Sequence, residues 1–170
     1  MRAPLWTSRW PVVVATALVV LSAVFAATAG WAWWASARAR EVARDDALRA
    51  GEQAVVAFNT LDSRRAEEGF DRWLAISTGA LHDDLARQRG DAVRRLAGTA
   101  AATGAGVLDA AVTELDEVAG TAVVIASVEV EISREGAPPG RKVDRIEARL
   151  VRTGAGWKLG AIGQVAVAAP

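Results

Sequence analysis

From Trp10 to Ala37 the chain carries no charged residue, and Arg9 and Arg38 bracket the gap. Its most apolar part, Val12 to Ala29, is interrupted only by Thr16, Ser22 and Thr28. A helix needs about 20 mainly apolar residues to cross the hydrocarbon core of a bilayer, and this run is long enough. In lipid every backbone N–H and C=O must be satisfied within the segment, so helix is the expected form. Trp6 and Trp10 precede the run, and Trp31, Trp33 and Trp34 follow it. Tryptophan at both ends is the belt expected where amphipathic rings meet headgroups. The reading is a membrane anchor in the bilayer, with Trp10, Trp31, Trp33 and Trp34 as its interface anchors.

A cleaved signal peptide is the rival. Arg2 and Arg9 would form its charged region, and Ala27-Thr28-Ala29 or Ala35-Ser36-Ala37 its cleavage site. Signal-peptide cores run about 7–15 residues, shorter than this one, which favours a retained helix. Charge leaves the orientation open. Arg38, Arg40, Arg44 and Arg49 outnumber Arg2 and Arg9, and a plain basic count keeps the larger part in the cytoplasm. Glu41, Asp45, Asp46 and Glu52 dilute those arginines, but acids contribute little to the rule.

The chain therefore divides into a short tail (1–10), a transmembrane helix (11–34), a membrane-proximal helix (35–60) and a folded domain (61–170). The 170-residue chain leaves enough after the anchor for one compact domain with its own core. Net charge is zero and basic residues are spread evenly, so the sequence carries no footprint of nucleic-acid binding. Cysteine is absent, which excludes disulfides and thiolate metal sites.

Beyond the anchor, Ser36 to Asn59 continues as helix, with Ala43, Ala47, Ala50, Ala54 and Phe58 recurring in steps of three and four. Leu48 and Val55 widen that stripe. Asn59 to Ser63 is a break rich in capping residues. A second helix is expected over about Ser63–Ile76, anchored by Phe70, Trp73 and Leu74 and stopped at Ser77-Thr78-Gly79. A third covers about Ala80–Ala97. Gly98 to Gly106 reads as a loop or frayed helix end.

After it the period changes from 3.6 to 2. Val107–Leu115 is a first candidate strand and Thr121–Ser133 the clearest one. In the latter Val124, Ala126, Val128, Val130 and Ile132 share a face opposite Ser127, Glu129 and Glu131. Arg134–Arg141 reads as a long turn, Arg141–Arg152 as the third strand and Trp157–Val167 as the fourth. A register with Val128 opposite Ile146 and Glu129 opposite Arg145 buries the apolar face and pairs charges outside. The fold class is α+β: three helices packed on a curved four-stranded antiparallel sheet.

Little in the chain can carry chemistry, and no catalytic, cofactor-binding or metal-binding residue is assigned. His82 is the only histidine and lies on the outer side of a helix. Asp83-Asp84 and Glu67-Glu68 are adjacent pairs, and neighbours on a helix do not face each other. Gly104-Ala105-Gly106 and Gly154-Ala155-Gly156 lack the following helix that a phosphate cradle needs. Asp144 is the only carboxylate on the inward side of the hairpin. An interior filled by side chains is the expected state of the sheet's inner face, with a lipid-sized cavity as the alternative.

Several motifs in order carry a family resemblance. They are Leu61-Asp62, Arg72-Trp73-Leu74, Ser77-Thr78-Gly79-Ala80-Leu81, and Ala111-Val112-Thr113-Glu114-Leu115-Asp116. Gly120-Thr121-Ala122-Val123-Val124 and Gly156-Trp157-Lys158-Leu159 complete the set. With one N-terminal span, the chain resembles the Mce-associated membrane proteins of actinobacteria over about residues 12 to 167. The resemblance implies a ketosteroid-isomerase-like cone outside the cytoplasmic membrane. It also implies a non-enzymatic accessory role beside Mce complexes, which move lipids or sterols across the envelope.

The same plan resembles the inner-membrane scaffold subunit of type IV secretion systems in architecture, without shared motifs. A small-molecule-binding or isomerase-type cone is a further alternative. Expected partners are the bilayer and Mce complex proteins, with a homo- or hetero-oligomer open and no nucleic acid. Trp73 and Leu74 are the candidate partner contacts, together with the exposed sheet edges.

Overall fold

A computed structural model describes residues 10–165. The chain divides into two compact units, Met1–Glu41 and Val42–Pro170. Helix α1 has the bounds Trp10–Asn59 and so contributes to both.

In the first unit, Val13–Trp31 is the one segment among the described residues long and apolar enough to cross a membrane. Its polar side chains turn back on the helix. Thr16 Oγ1 donates to the Val13 carbonyl at 2.9 Å, Ser22 Oγ to Leu18 at 2.8 Å, and Thr28 Oγ1 to Val24 at 3.0 Å. Each hydroxyl is thereby satisfied without water, which suits an apolar surrounding. Trp31, Trp33 and Trp34 are exposed, and the Arg38 guanidinium sits 5.4 Å from the Trp34 ring centroid. Trp10 begins α1, and Trp6 lies outside the described residues.

The second unit is a sheet with helices on one face. After α1 come β1 (Leu61–Asp62), a 3-10 turn (Ser63–Arg65), α2 (Ala66–Ile76) and α3 (Gly79–Leu96). The strands β2 (Ala101–Asp116), β3 (Thr121–Arg134), β4 (Ala137–Thr153) and β5 (Gly156–Gln164) follow. All pairings are antiparallel, in the order β1-β2-β3-β4-β5. The sheet therefore has five strands, not the expected four. The extra strand, β1, is two residues long, too short to leave a periodic signal in the sequence. It also delays the second helix, expected from Ser63, until Ala66.

Three other expectations are corrected. The stretch expected as a loop up to Gly106 is strand from Ala101 onward, where Ala101–Gly106 pairs with Arg134–Glu129 of β3. Small residues hid the alternation there. The long turn expected over Arg134–Arg141 is only the Glu135-Gly136 corner, with Gly136 at φ 79°. Pro138 and Pro139 lie inside β4, in the register irregularity between Ile132 and Arg134 of β3. That end of β4 also extends beyond β5, whose pairing begins at Ile146. A proline has no N–H to give, and here no ladder partner asks for one.

The tighter corner shifts the β3–β4 register by two residues. Val128 faces Asp144 instead of Ile146, and Arg145 faces Ser127 instead of Glu129. Both faces survive such a slip, because side chains alternate with a period of two. Glu129 and Glu131 are instead approached by Arg141, at 3.9 and 3.8 Å. The described part of the last strand ends at Gln164, and Val167 lies outside the described residues.

The core forms where the stripe of α1 meets the sheet. Ala47, Ala54 and Val55 are buried with Val124, Ala126, Val128, Ala148, Leu150 and Leu159. Ala50, Leu48 and Phe58 pack beside them, half-buried. The closest approach is at Gly51, where an added Cβ would lie 2.7 Å from Val124 Cγ2.

Candidate functional site

His82 lies half-buried on α3, its Nδ1 3.8 Å from the Asp83 carboxylate. Asp83, Asp84, Glu67 and Glu68 are all exposed. Asp144 does face inward, as its position in the sequence suggests, and pairs with Lys142 at 2.6 Å; with β4 beginning at Ala137 it lies near the middle of the strand. No group of three or more His, Cys, Asp or Glu stands together as a metal site among the described residues. The inner face of the sheet is occupied by α1 over Val124 and by fully buried Val128, Leu150 and Leu159.

Trp73 and Leu74 belong to the corner where α2 docks on the end of α1. The Trp73 ring stacks on Phe58 with centroids 4.8 Å apart and meets Phe70 at the same distance with a tilt of 58°. Its indole Nε1 donates to the Ala57 carbonyl at 2.8 Å. Leu74 is half-buried, and its carbonyl accepts from Ser77 N–H at 3.4 Å and Ser77 Oγ at 3.3 Å. The Trp73 side chain thus has its partners inside the domain, Leu74 is tied to Ser77 through its backbone, and both offer half-exposed surface outward. Trp73→Phe should keep the stack and lose the indole bond, costing about 1 kcal/mol. The urea midpoint of the full chain in detergent micelles measures it; an unchanged midpoint would dismiss the bond as a contributor.

An open concavity lies beside this corner. It is a shallow groove of about 670 Å³ between α1, α2 and β2. Val56, Ala57 and Val107 supply its apolar walls, and Gln53, Arg65 and Arg72 its polar rim. No periodic pattern in the sequence marks this groove. Its residues come from positions 52 to 107, and only the antiparallel return of β2 beside α1 brings them together.

The two edges of the sheet differ. At β5 the Leu159 carbonyl accepts Thr78 N–H at 2.9 Å, and Ser77 forms a parallel bridge to Leu159, so the α2–α3 link covers that edge locally. At β2 the outer side is paired, among the described residues, only at Ala102 and Thr103, by β1. A groove with apolar walls next to an open edge suits docking of a polypeptide better than reaction chemistry, which needs converging reactive groups.

A model of the family described as "Uncharacterized protein Rv1363c/MT1408-like" matches residues 10–162. No curated protein matches the sequence. Among solved structures, an IcmL-like type IV secretion system protein from Legionella pneumophila is similar at 11% identity and a TM-score of 0.57. That match covers 72% of this chain and 92% of that one. The periplasmic domain of DotI matches at 10% identity and 0.57, covering 71% and 93%. CagV of Helicobacter pylori, a VirB8 homologue of a type IV secretion system, matches at 8% and 0.54, covering 73% and 99%. At these identities the likeness is one of fold.

Proposed function

The chain belongs to the Rv1363c/MT1408-like family, and on the architecture described above we propose that it is a single-pass envelope protein whose extracytoplasmic domain acts as a non-enzymatic scaffold. The helix holds the domain at the bilayer, and the domain's surface docks a larger protein assembly. One observation carries the reading: a membrane-length helix precedes a domain that shares its fold with a type IV secretion system protein and with the periplasmic domain of DotI. The occupied inner face supports docking over the small-molecule-binding alternative.

The finer assignment is an accessory subunit of an Mce-type lipid or sterol transport complex. It rests on the motif string from Leu61-Asp62 to Gly156-Trp157-Lys158-Leu159. The structural likeness favours the broader scaffold reading over this one, because two of the fold neighbours named above are type IV secretion proteins.

Cross-linking through the intact anchor, followed by identification of the captured proteins, tests the role. Subunits of an envelope complex are expected. Mce-type components would support the finer assignment, and secretion components the scaffold of a secretion machine. A purified chain that turns over a steroid or other small substrate would overturn the proposal.

Topology has a clean readout, because the chain has no cysteine and Val118 is fully exposed in the turn between β2 and β3. Val118→Cys should be labelled by a membrane-impermeant maleimide in intact spheroplasts. Labelling only after lysis would place the domain inside and defeat this part of the reading.

A further inference from the structure

β2 leaves one edge of the sheet open. It pairs with β3 from Ala101 to Asp116, whereas on its other side β1 reaches only Ala102 and Thr103. From Gly104 to Asp116 no strand pairs with that side among the described residues. Two bonds fix where the backbone points. Ala101 N–H turns to the open side and donates to Ser63 Oγ at 3.1 Å. Farther along, the Val112 carbonyl accepts from Arg44 Nη2 at 2.6 Å. Alternation along the strand then turns the peptide groups of Ala105 and Val107 to the same side. The groove lined by Val56, Ala57 and Val107 opens directly beside them.

The two faces of an added strand would meet different chemistry. Every second side chain would point inward, toward the apolar groove walls and the half-buried faces of Ala105 and Val107. The others would lie on the outer face with Asp109, Glu114 and Asp116, which share that face with Ser127, Val123 and Thr121 of β3. Between Gly104 and Glu117 there are four acids and no basic residue: Asp109, Glu114, Asp116 and Glu117. The β4 backbone stands two strands away, about 10 Å from that row, and of its arginines Arg145 lines a shallow pocket with Asp109. A second copy offering its own β2 would set acids against acids across the new pairing, which destabilises it.

We propose that the open edge of β2, with the groove behind it, receives an extended basic segment of a partner protein as an added strand. The segment is apolar at every second residue and carries lysine or arginine between them. This inference rests on the reading of the domain as a docking module and names the chemistry of what docks. Backbone hydrogen bonds to the edge provide the affinity, and the alternation of apolar and basic side chains provides the selection.

The test uses the full chain in detergent micelles and a blocked, fluorescein-labelled nine-residue peptide of alternating valine and lysine, with empty micelles as baseline. Saturable binding read by anisotropy is expected. N-methylation of the peptide at alternate residues should weaken it at least tenfold, because ladder donors are lost. Ala105→Pro should do the same from the protein side. The N–H it removes faces away from β3, where an edge strand tolerates proline. Asp109→Lys with Glu114→Lys should reverse the preference toward a valine–glutamate peptide.

Absence of saturable binding, or binding indifferent to N-methylation, would overturn the inference. So would concentration-dependent dimerisation that Ala105→Pro abolishes. If the peptide fails while cross-linking through the anchor still captures an envelope complex, the edge is wrong and the scaffold reading stands. If the peptide binds as expected and no envelope complex is captured, the edge stands and that reading falls.

Discussion

Gly51→Leu should destabilise the second unit by about 3 kcal/mol or more, although leucine is a far better helix former than glycine. Position 51 is buried in α1, and an added Cβ would meet Val124 Cγ2 at 2.7 Å, Cβ at 2.9 Å and Cγ1 at 3.0 Å. The middle distance decides the sign. A side-chain rotation could move the two methyl groups, but Val124 Cβ is fixed to the backbone of β3. Relief therefore requires lifting the helix from the sheet, and that exposes Ala47, Ala54 and Val55.

Gly51→Ala separates the two effects. Helix propensity alone would stabilise it by about 1 kcal/mol, whereas overpacking costs about 1–3 kcal/mol. A net loss is expected. Val124→Ala removes two of the three clashing atoms, so the double variant should lose less than the sum of the single changes. The readouts are urea midpoints of the full chain in micelles and amide exchange in β3. Stabilisation by Gly51→Ala would show that α1 does not sit on the sheet at that distance.

That contact also marks where sequence reading stops. Ala43, Ala47, Ala54 and Val55 announce a buried stripe through their spacing, and all four are buried. Gly51 lies on the same stripe, but as a lone glycine in a helix it reads as a weak position. Its use appears only once Val124 is placed opposite it. The hairpin register failed for a related reason. Alternation is blind to a slip of two residues, so Val128 could be set against Ile146 or Asp144 with no change of face. The Glu135-Gly136 corner and the two prolines after it decide between them, and in the sequence all four residues read as turn. The groove was less legible still, because Val56, Arg72 and Val107 share no periodic pattern. Trp73 could be recognised as an anchor from its helix, but its indole bond to Ala57 crosses to another helix.

Val20→Arg together with Leu21→Arg should release the chain from the membrane. Both residues lie near the middle of Val13–Trp31, both are more than half exposed, and none of the described residues covers that segment. An arginine at the centre of a spanning helix costs about 2.5–3.5 kcal/mol on insertion scales. Two of them cost roughly 5–7 kcal/mol, a shift of about three to five powers of ten in the partition between inserted and released chain. Ser22 Oγ, which donates to the Leu18 carbonyl, keeps acceptor lone pairs, but one neutral acceptor leaves most of a guanidinium's five N–H donors unsatisfied in lipid.

The outcome is read as the fraction of chain retained in carbonate-washed membranes: near complete for the native sequence and small for the double variant. N-terminal sequencing of the membrane-bound native protein distinguishes a retained helix from a processed leader. Recovery of a native chain shortened at Ala29 or Ala37 and free of the bilayer would remove the anchor. The scaffold reading would fall with it, since a domain with no tether has no reason to dock at the membrane.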